Sequence, residues 1–247
     1  MPTDRITPQE AAQSLHAELH PACNCLLLAG SFVRGEATAS SDLDVVVLYD
    51  DLPCAYRESI LWRDYPVEMF VHSPQTLRYF FERVDGPSGV PMLMQMVCEG
   101  IEIPGATPLS SAMKDMARQV IAAGPPPLTE EEVRGRRYQI TDLVDDIRTP
   151  RSREELIATG TQLYERISDF YFRSQNLWSA GGKTVPRKLQ NHSPEFAARF
   201  QRAFEALFGE NDPSLVIVLA EDILTMCVGS GFLFDGYRLD APADFKL

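Results

Sequence analysis

A chain of 247 residues with 45% hydrophobic and 23% charged content is long enough to bury one large core or two modest ones. Its formal net charge of −12 argues against a sequence-independent grip on DNA or RNA, which needs a basic face, but not against the binding of a nucleotide whose phosphates are neutralised locally. No run approaches the ~20 apolar residues of a membrane span, and no charged start leads into a long apolar core, so no membrane partner and a cytoplasmic location are expected.

In chain order, Thr7-Pro8-Gln9-Glu10 is a capping box with proline at the first helical position, which predicts a helix to about Glu18, ended by Pro21. The apolar run Leu26 to Ala29 reads as a strand that stops at Gly30-Ser31. A loop carrying Arg34 and Gly35 follows, and Asp42 and Asp44 then lead at alternate positions into a second apolar strand, Val45 to Tyr49. Residues Ala55 to Trp62 read equally as a strand or an irregular hairpin. Pro66 to His72 reads as a strand carrying Glu68. Ser73-Pro74 caps a helix through about Arg83, and Asp85 to Gly89 reads as a loop. A Met-rich helix over Pro91 to Cys98, a short strand over Ile101 to Ile103 and a helix over Thr107 to Ala123 complete this half.

Gly124 and the three prolines after it cannot continue a helix and mark the clearest boundary, giving domains over 1–124 and 128–247. Thr129 to Glu132 is a second capping box. Beyond it no strand is expected. Helical periodicity runs over Glu130 to Arg148, with a stripe of Ile140, Leu143, Val144 and Ile147. It resumes over Ser152 to Trp178, with Leu156, Leu163, Ile167, Phe170 and Tyr171 in phase. Two further helices start at Ser193-Pro194 and at Asn211-Asp212-Pro213, running to about Phe208 and Val228. Four amphipathic helices suit an antiparallel bundle.

The chemistry lies in the first half. A glycine after a strand brings backbone close to a phosphate, the Ser31 hydroxyl adds a hydrogen bond, and the Arg34 fork matches outer phosphates. Alone, such a turn is common. The acids add weight. Asp42 and Asp44 are in phase at the mouth of an otherwise apolar strand, roughly 6.5–7 Å apart along it, while Leu43 points away. Like charges so placed are costly to bury unless a cation neutralises them, and Mg²⁺ does so through hard oxygen ligands. If the Glu68 strand pairs alongside, Glu68 completes a three-carboxylate metal site. Arg34, Arg57 or Arg63 would instead supply a salt-bridge partner.

Gly-Ser, ten further residues, Asp-Leu-Asp with apolar flanks and a later strand carrying Glu together resemble the nucleotidyltransferase superfamily built on a DNA-polymerase-β-like core. Within it the chain is most similar to the bacterial aminoglycoside- and lincosamide-type branch. The motif spans Leu26 to Val71, and a helical second half also fits. The resemblance implies an α+β fold: a polymerase-β-like mixed sheet with helices on one side, then a helical bundle, with the active site between them. It implies that Asp42 and Asp44 hold two Mg²⁺ ions, with Glu68 completing one of them, and that these three acids are the catalytic residues. It assigns Gly30, Ser31, Arg34 and Ser41 to the nucleotide. The implied reaction moves a nucleoside monophosphate, AMP from ATP first, to a hydroxyl of a small acceptor and releases pyrophosphate. The alternative is an inactive nucleotide-binding, regulatory or antitoxin-type member. An acceptor on a protein or a tRNA end is a third reading, and the acidic balance disfavours tRNA. A homodimer is left open.

Other candidates carry less. Lys183, beside Gly181-Gly182 and ahead of Arg187 and Lys188, lies in a segment able to fold over the phosphates, although an interhelix loop explains it equally. It is no P-loop, since Leu177 stands where a glycine is needed. Glu99, Asp142, Asp145 and Asp146 are candidate general bases, each read first as part of a solvated helix face. The histidines His16, His20, His72 and His192 are scattered. Cys23, Cys25, Cys54, Cys98 and Cys227 form no disulfide framework and read as reduced, partly buried cysteines.

Overall fold

The computed structural model describes residues 6–225, 231, 232 and 238. It divides into two units, Met1–Pro125 and Pro126–Leu247.

In the first unit, α1 (Pro8–Leu19) starts at the Thr7 capping box: Thr7 Oγ1 accepts the Glu10 N–H at 3.2 Å and the Glu10 carboxylate accepts the Thr7 N–H at 2.7 Å. Five strands follow: β1 (Cys25–Ala29), β2 (Leu43–Leu48), β3 (Tyr56–Trp62), β4 (Tyr65–His72) and β5 (Ile101–Ile103). They form one mixed sheet in the order β3-β4-β2-β1-β5. β1 runs antiparallel to β2 and β5, β2 runs parallel to β4, and β3 and β4 are an antiparallel hairpin. The undecided stretch before Trp62 is thus a strand. It turns into β4 through Arg63 and Asp64, both at positive φ (49° and 66°), the backbone that a two-residue hairpin demands.

One face of the sheet presents Leu26, Leu28, Val45, Val47, Val67, Met69 and Val71 to Ala11, Ala12 and Leu15 of α1. The alternate residues Leu27, Val46 and Leu48 are equally inaccessible. On their side α4 (Met92–Glu99) packs against β1 and β2, and Gly100 lies directly on Leu27. Helices therefore cover both faces, not one as expected. The continuous apolar runs of β1 and β2 are what two-sided burial requires.

The helix α2 (Pro74–Phe80) does not stop in a loop. It continues through a π-turn, Phe81–Asp85, and a single turn α3 (Gly86–Ser88) that ends at Gly89, φ 73°. The buried Asp85 carboxylate accepts the Met94 N–H at 3.0 Å and so caps the start of α4, which has no cap of its own. α5 (Pro108–Ala123) closes the unit.

The described residues of the second unit form helices and connections and no strand: α6 (Glu130–Arg148), α7 (Arg153–Arg173), α8 (Val185–His192), α9 (Pro194–Glu205) with a π-turn over Ala206–Glu210, and α10 (Ser214–Thr225). The two apolar stripes of α6 and α7 enter one core with Phe196, Phe200, Phe204 and Leu219. Two expectations change. α7 ends five residues early, where Asn176 takes a left-handed turn (φ 56°) and the Leu177 N–H returns to the Phe172 carbonyl at 3.0 Å. The segment read as an interhelix loop contains α8, with Pro186 in its first turn and Val185 and Leu189 buried. The expected continuation to Val228 lies outside the described residues, as does Cys227. Cys23, Cys25, Cys54 and Cys98 are free thiols, the first two buried. No helix among the described residues is long and apolar enough to cross a membrane.

Candidate active site

The three acids meet because of strand register. Asp44 sits within β2, opposite Ala29 of β1 on one side and opposite Glu68 of β4 on the other. Residues directly opposite on paired strands share a face, and neighbouring strands lie only about 4.8 Å apart. Glu68 is therefore beside Asp44. β2 begins at Leu43, so Asp42 stands just ahead of the regular strand, and its carboxylate reaches closer to its neighbours than strand spacing alone allows. One carboxylate oxygen from each of Asp42, Asp44 and Glu68 lies within 4.8 Å of the others, all three side chains half-buried. Among the described residues no other group of His, Cys, Asp and Glu is so placed.

Three like charges at this spacing repel, and Arg57 supplies a counter-charge to one of them. Arg57 of β3 donates from Nη2 to Glu68 Oε1 at 2.5 Å, with its guanidinium 5.2 Å from the Phe70 ring centre. Its side chain is 57% exposed, so the pair is a weak, water-competed one. The other arginines weighed as partners go elsewhere: Arg63 to Glu18 at 2.6 Å, and Arg34 to Glu36 and Glu99. Three converging carboxylates are a set of hard oxygen donors that fits a divalent cation such as Mg²⁺.

Gly30 joins this cluster to the loop. Its φ is +75°, and a Cβ built there would lie 2.0 Å from Asp44 Oδ2. Only glycine lets the Asp44 carboxylate lie against the backbone here. From Gly30 the chain makes a tight turn in which the Arg34 N–H donates to the Gly30 carbonyl (3.2 Å) and the Glu36 N–H to the Ser31 carbonyl (2.9 Å). Ser31 is half-buried and Arg34 exposed on this turn. Ser41 closes a second turn, accepting the Thr38 N–H on Oγ at 2.8 Å.

Glu99, at the end of α4, is not part of a solvated face. Its Oε1 accepts the Gly30 N–H at 3.1 Å and a hydrogen bond from Arg34 Nη1. The sequence could not show this, since 69 positions separate Gly30 from Glu99. Asp142, Asp145 and Asp146 are exposed on α6, Asp145 paired with Arg148 at 3.4 Å. Lys183 belongs to the C-terminal unit, exposed in a 3₁₀ turn over Gly182–Thr184. Two of the histidines have ordinary partners: His20 Nδ1 lies 2.9 Å from the Tyr49 hydroxyl and His72 Nδ1 3.2 Å from Thr76 Oγ1.

Residues 26–72, which run from β1 through the three acids to the end of β4, match the family profile described as nucleotidyltransferase domain. This stretch of the N-terminal unit is thus similar to a nucleotidyltransferase domain. The matched stretch contains Gly30, Ser31, Asp42, Asp44 and Glu68 and omits Glu99. Among solved structures the chain is similar to a nucleotidyltransferase-like protein from Exiguobacterium sibiricum. The two are 15% identical with a TM-score of 0.45, over 91% of this chain and 77% of that one. The chain matches none of the curated proteins with which it was compared.

Proposed function

We propose that the chain is an enzyme, a Mg²⁺-dependent nucleotidyltransferase that moves a nucleoside monophosphate to a hydroxyl of a small acceptor and releases pyrophosphate, with ATP the first donor to test. The observation that carries the reading is the convergence of Asp42, Asp44 and Glu68 within 4.8 Å, beside a glycine whose missing Cβ makes room for Asp44. The match of residues 26–72 to a nucleotidyltransferase domain supports it.

In this reading Asp42, Asp44 and Glu68 would hold one or two Mg²⁺ ions, which when bound screen charge on the attacking and leaving oxygens and acidify the acceptor hydroxyl. The chain's own groups do the rest. Ser31 and Arg34 orient the triphosphate through hydrogen bonds, Arg34 by its planar fork. The sheet keeps the carboxylates fixed, so their charge is already arranged before the reaction begins. Ser41 shapes the turn that delivers Asp42. The net charge of −12 favours the approach of a cationic acceptor.

The test is a thermal-shift panel of nucleoside triphosphates with and without Mg²⁺, followed by pyrophosphate release with candidate hydroxylated acceptors. The expected result is a Mg²⁺-dependent shift with ATP and acceptor-dependent release, both absent in Asp44→Asn. Stabilisation by nucleotide without release across acceptors would favour the inactive, regulatory alternative. No stabilisation by any nucleotide would overturn both.

A further inference from the structure

The nucleotide reading asks the Gly30 amide and the Arg34 guanidinium to meet phosphate oxygens. Both are already taken. Glu99 Oε1 accepts the Gly30 N–H at 3.1 Å and accepts from Arg34 Nη1 as well. A backbone N–H at a glycine turn together with an arginine fork is the donor set that recognises a phosphate. A carboxylate oxygen is the anion within the protein closest to it in kind. The placement is also costly for the helix that bears it. Glu99 is the last residue of α4, where the helix dipole disfavours negative charge. Gly100 then locks that helix end onto β1, since a Cβ there would lie 2.7 Å from Leu27 Cβ. Glu99 is thus held by a rigid element, and the Gly30–Arg34 turn hangs from it.

Resting on the nucleotidyltransferase reading, we propose that Glu99 is an affinity-setting residue of the nucleotide site: it occupies the Gly30 and Arg34 donors as an internal anion that a triphosphate oxygen must displace. The electrostatics point the same way. Among the described residues, the carboxylates of Glu36, Asp42, Asp44, Glu68 and Glu99 stand around the turn and the acid cluster, together with the guanidiniums of Arg34 and Arg57. Glu99 adds its charge where the incoming phosphates carry theirs. Unlike the acid cluster, it has no place in the cation set among the described residues. Its removal should therefore help phosphate binding without disturbing the cation ligands.

The experiment is calorimetric titration of wild type, Glu99→Gln and Glu99→Ala with Mg²⁺-ATP and with Mg²⁺-tripolyphosphate, folding being checked by circular dichroism. Glutamine keeps an oxygen for both donors but loses the charge. The expected result is a Kd for both ligands lower by about five- to tenfold in each variant. In an Arg34→Met background the gain should shrink to about twofold or less, because the contested donor is gone. If Glu99 only braces the turn, glutamine will leave the affinity unchanged and alanine will weaken it, and either outcome overturns the proposal. Failure of all chains to bind either ligand would instead overturn the nucleotide reading, and the proposal with it.

Discussion

The two sides of the candidate site are held by different means. The carboxylate side is set by main-chain pairing. Asp44 and Glu68 are opposite one another in the β2–β4 ladder, and a slip of one residue would turn Glu68 to the face occupied by Val67 and Met69. The donor side is a short turn closed by local main-chain bonds, with its donors held by side chains, Glu99 and Glu36 on Arg34 and Glu99 on the Gly30 amide. Main-chain register has no low-cost alternative, whereas ion pairs on an exposed arginine exchange readily. The three carboxylates are thus preorganised, and the Gly30 and Arg34 donors are free to change partners.

The largest effect is expected where the two sides touch. Gly30→Ala adds a Cβ 2.0 Å from Asp44 Oδ2 and puts a side chain at φ +75°, a backbone that costs roughly 1–2 kcal/mol for a non-glycine residue. Asp44 must move, and pyrophosphate release should fall by about 100-fold or more, with a lowered melting temperature. Next comes a change on the rigid side alone. Asp44→Asn, which leaves the backbone unstrained, should lower release by about 100-fold. It should leave stability in chelator unchanged, or raised by up to about 1 kcal/mol, because like charges directly opposite on paired strands destabilise. A large loss of stability would make the aspartate structural. On the adaptable side the effect should be smaller. Arg34→Met should raise KM for the nucleotide about five- to tenfold and leave kcat nearly unchanged. If kcat falls as far as it does for Asp44→Asn, the contrast between rigid and exchangeable sides is wrong.

The smallest effect belongs to the body of the domain and serves as a control. Burial pushes the Asp85 carboxyl up to about 6 and the His72 imidazole down to about 4. The signs oppose. Asp85 binds a proton more readily folded than unfolded, so its contribution to stability falls as pH rises from about 4 to 6. His72 is held neutral, so its contribution is lost as pH falls from about 6.5 towards 4. Asp85→Asn should remove the first slope. Its urea-unfolding stability relative to wild type should then grow between pH 4 and 7, by about 1–3 kcal/mol. An unchanged difference across that range would mean that Asp85 is not held against its charge.

The acid cluster was legible because polar residues stood in phase inside apolar strands. Asp42, Asp44 and Glu68 break runs of Leu and Val that otherwise read as buried. The mixed sheet followed by helices was legible for the same reason, from period-2 and period-3.6 patterns. β3 was not, since its residues are mostly exposed and its hairpin turns through Arg63-Asp64 without the glycine or asparagine that usually signals one. Helix α8 hid behind Gly181-Gly182 and Pro186, residues that read as loop until the proline is seen in the first turn. The π-turn after α2 and the role of Asp85 depend on a hydrogen bond to Met94, outside any local pattern. The contact of Glu99 with Gly30, 69 positions away, leaves no mark in the sequence around either residue.

The account depends most on residues 42, 44 and 68 acting together as a cation site, and the most direct measurement is metal binding itself. Mn²⁺ should be titrated calorimetrically into wild type, Asp44→Asn and Glu68→Gln in the absence of nucleotide, with melting temperature followed in parallel. The account predicts saturable binding and a metal-dependent rise in melting temperature for wild type, with both lost or weakened by about tenfold or more in each variant. Equal Mn²⁺ affinity and equal thermal shifts in all three chains would contradict it.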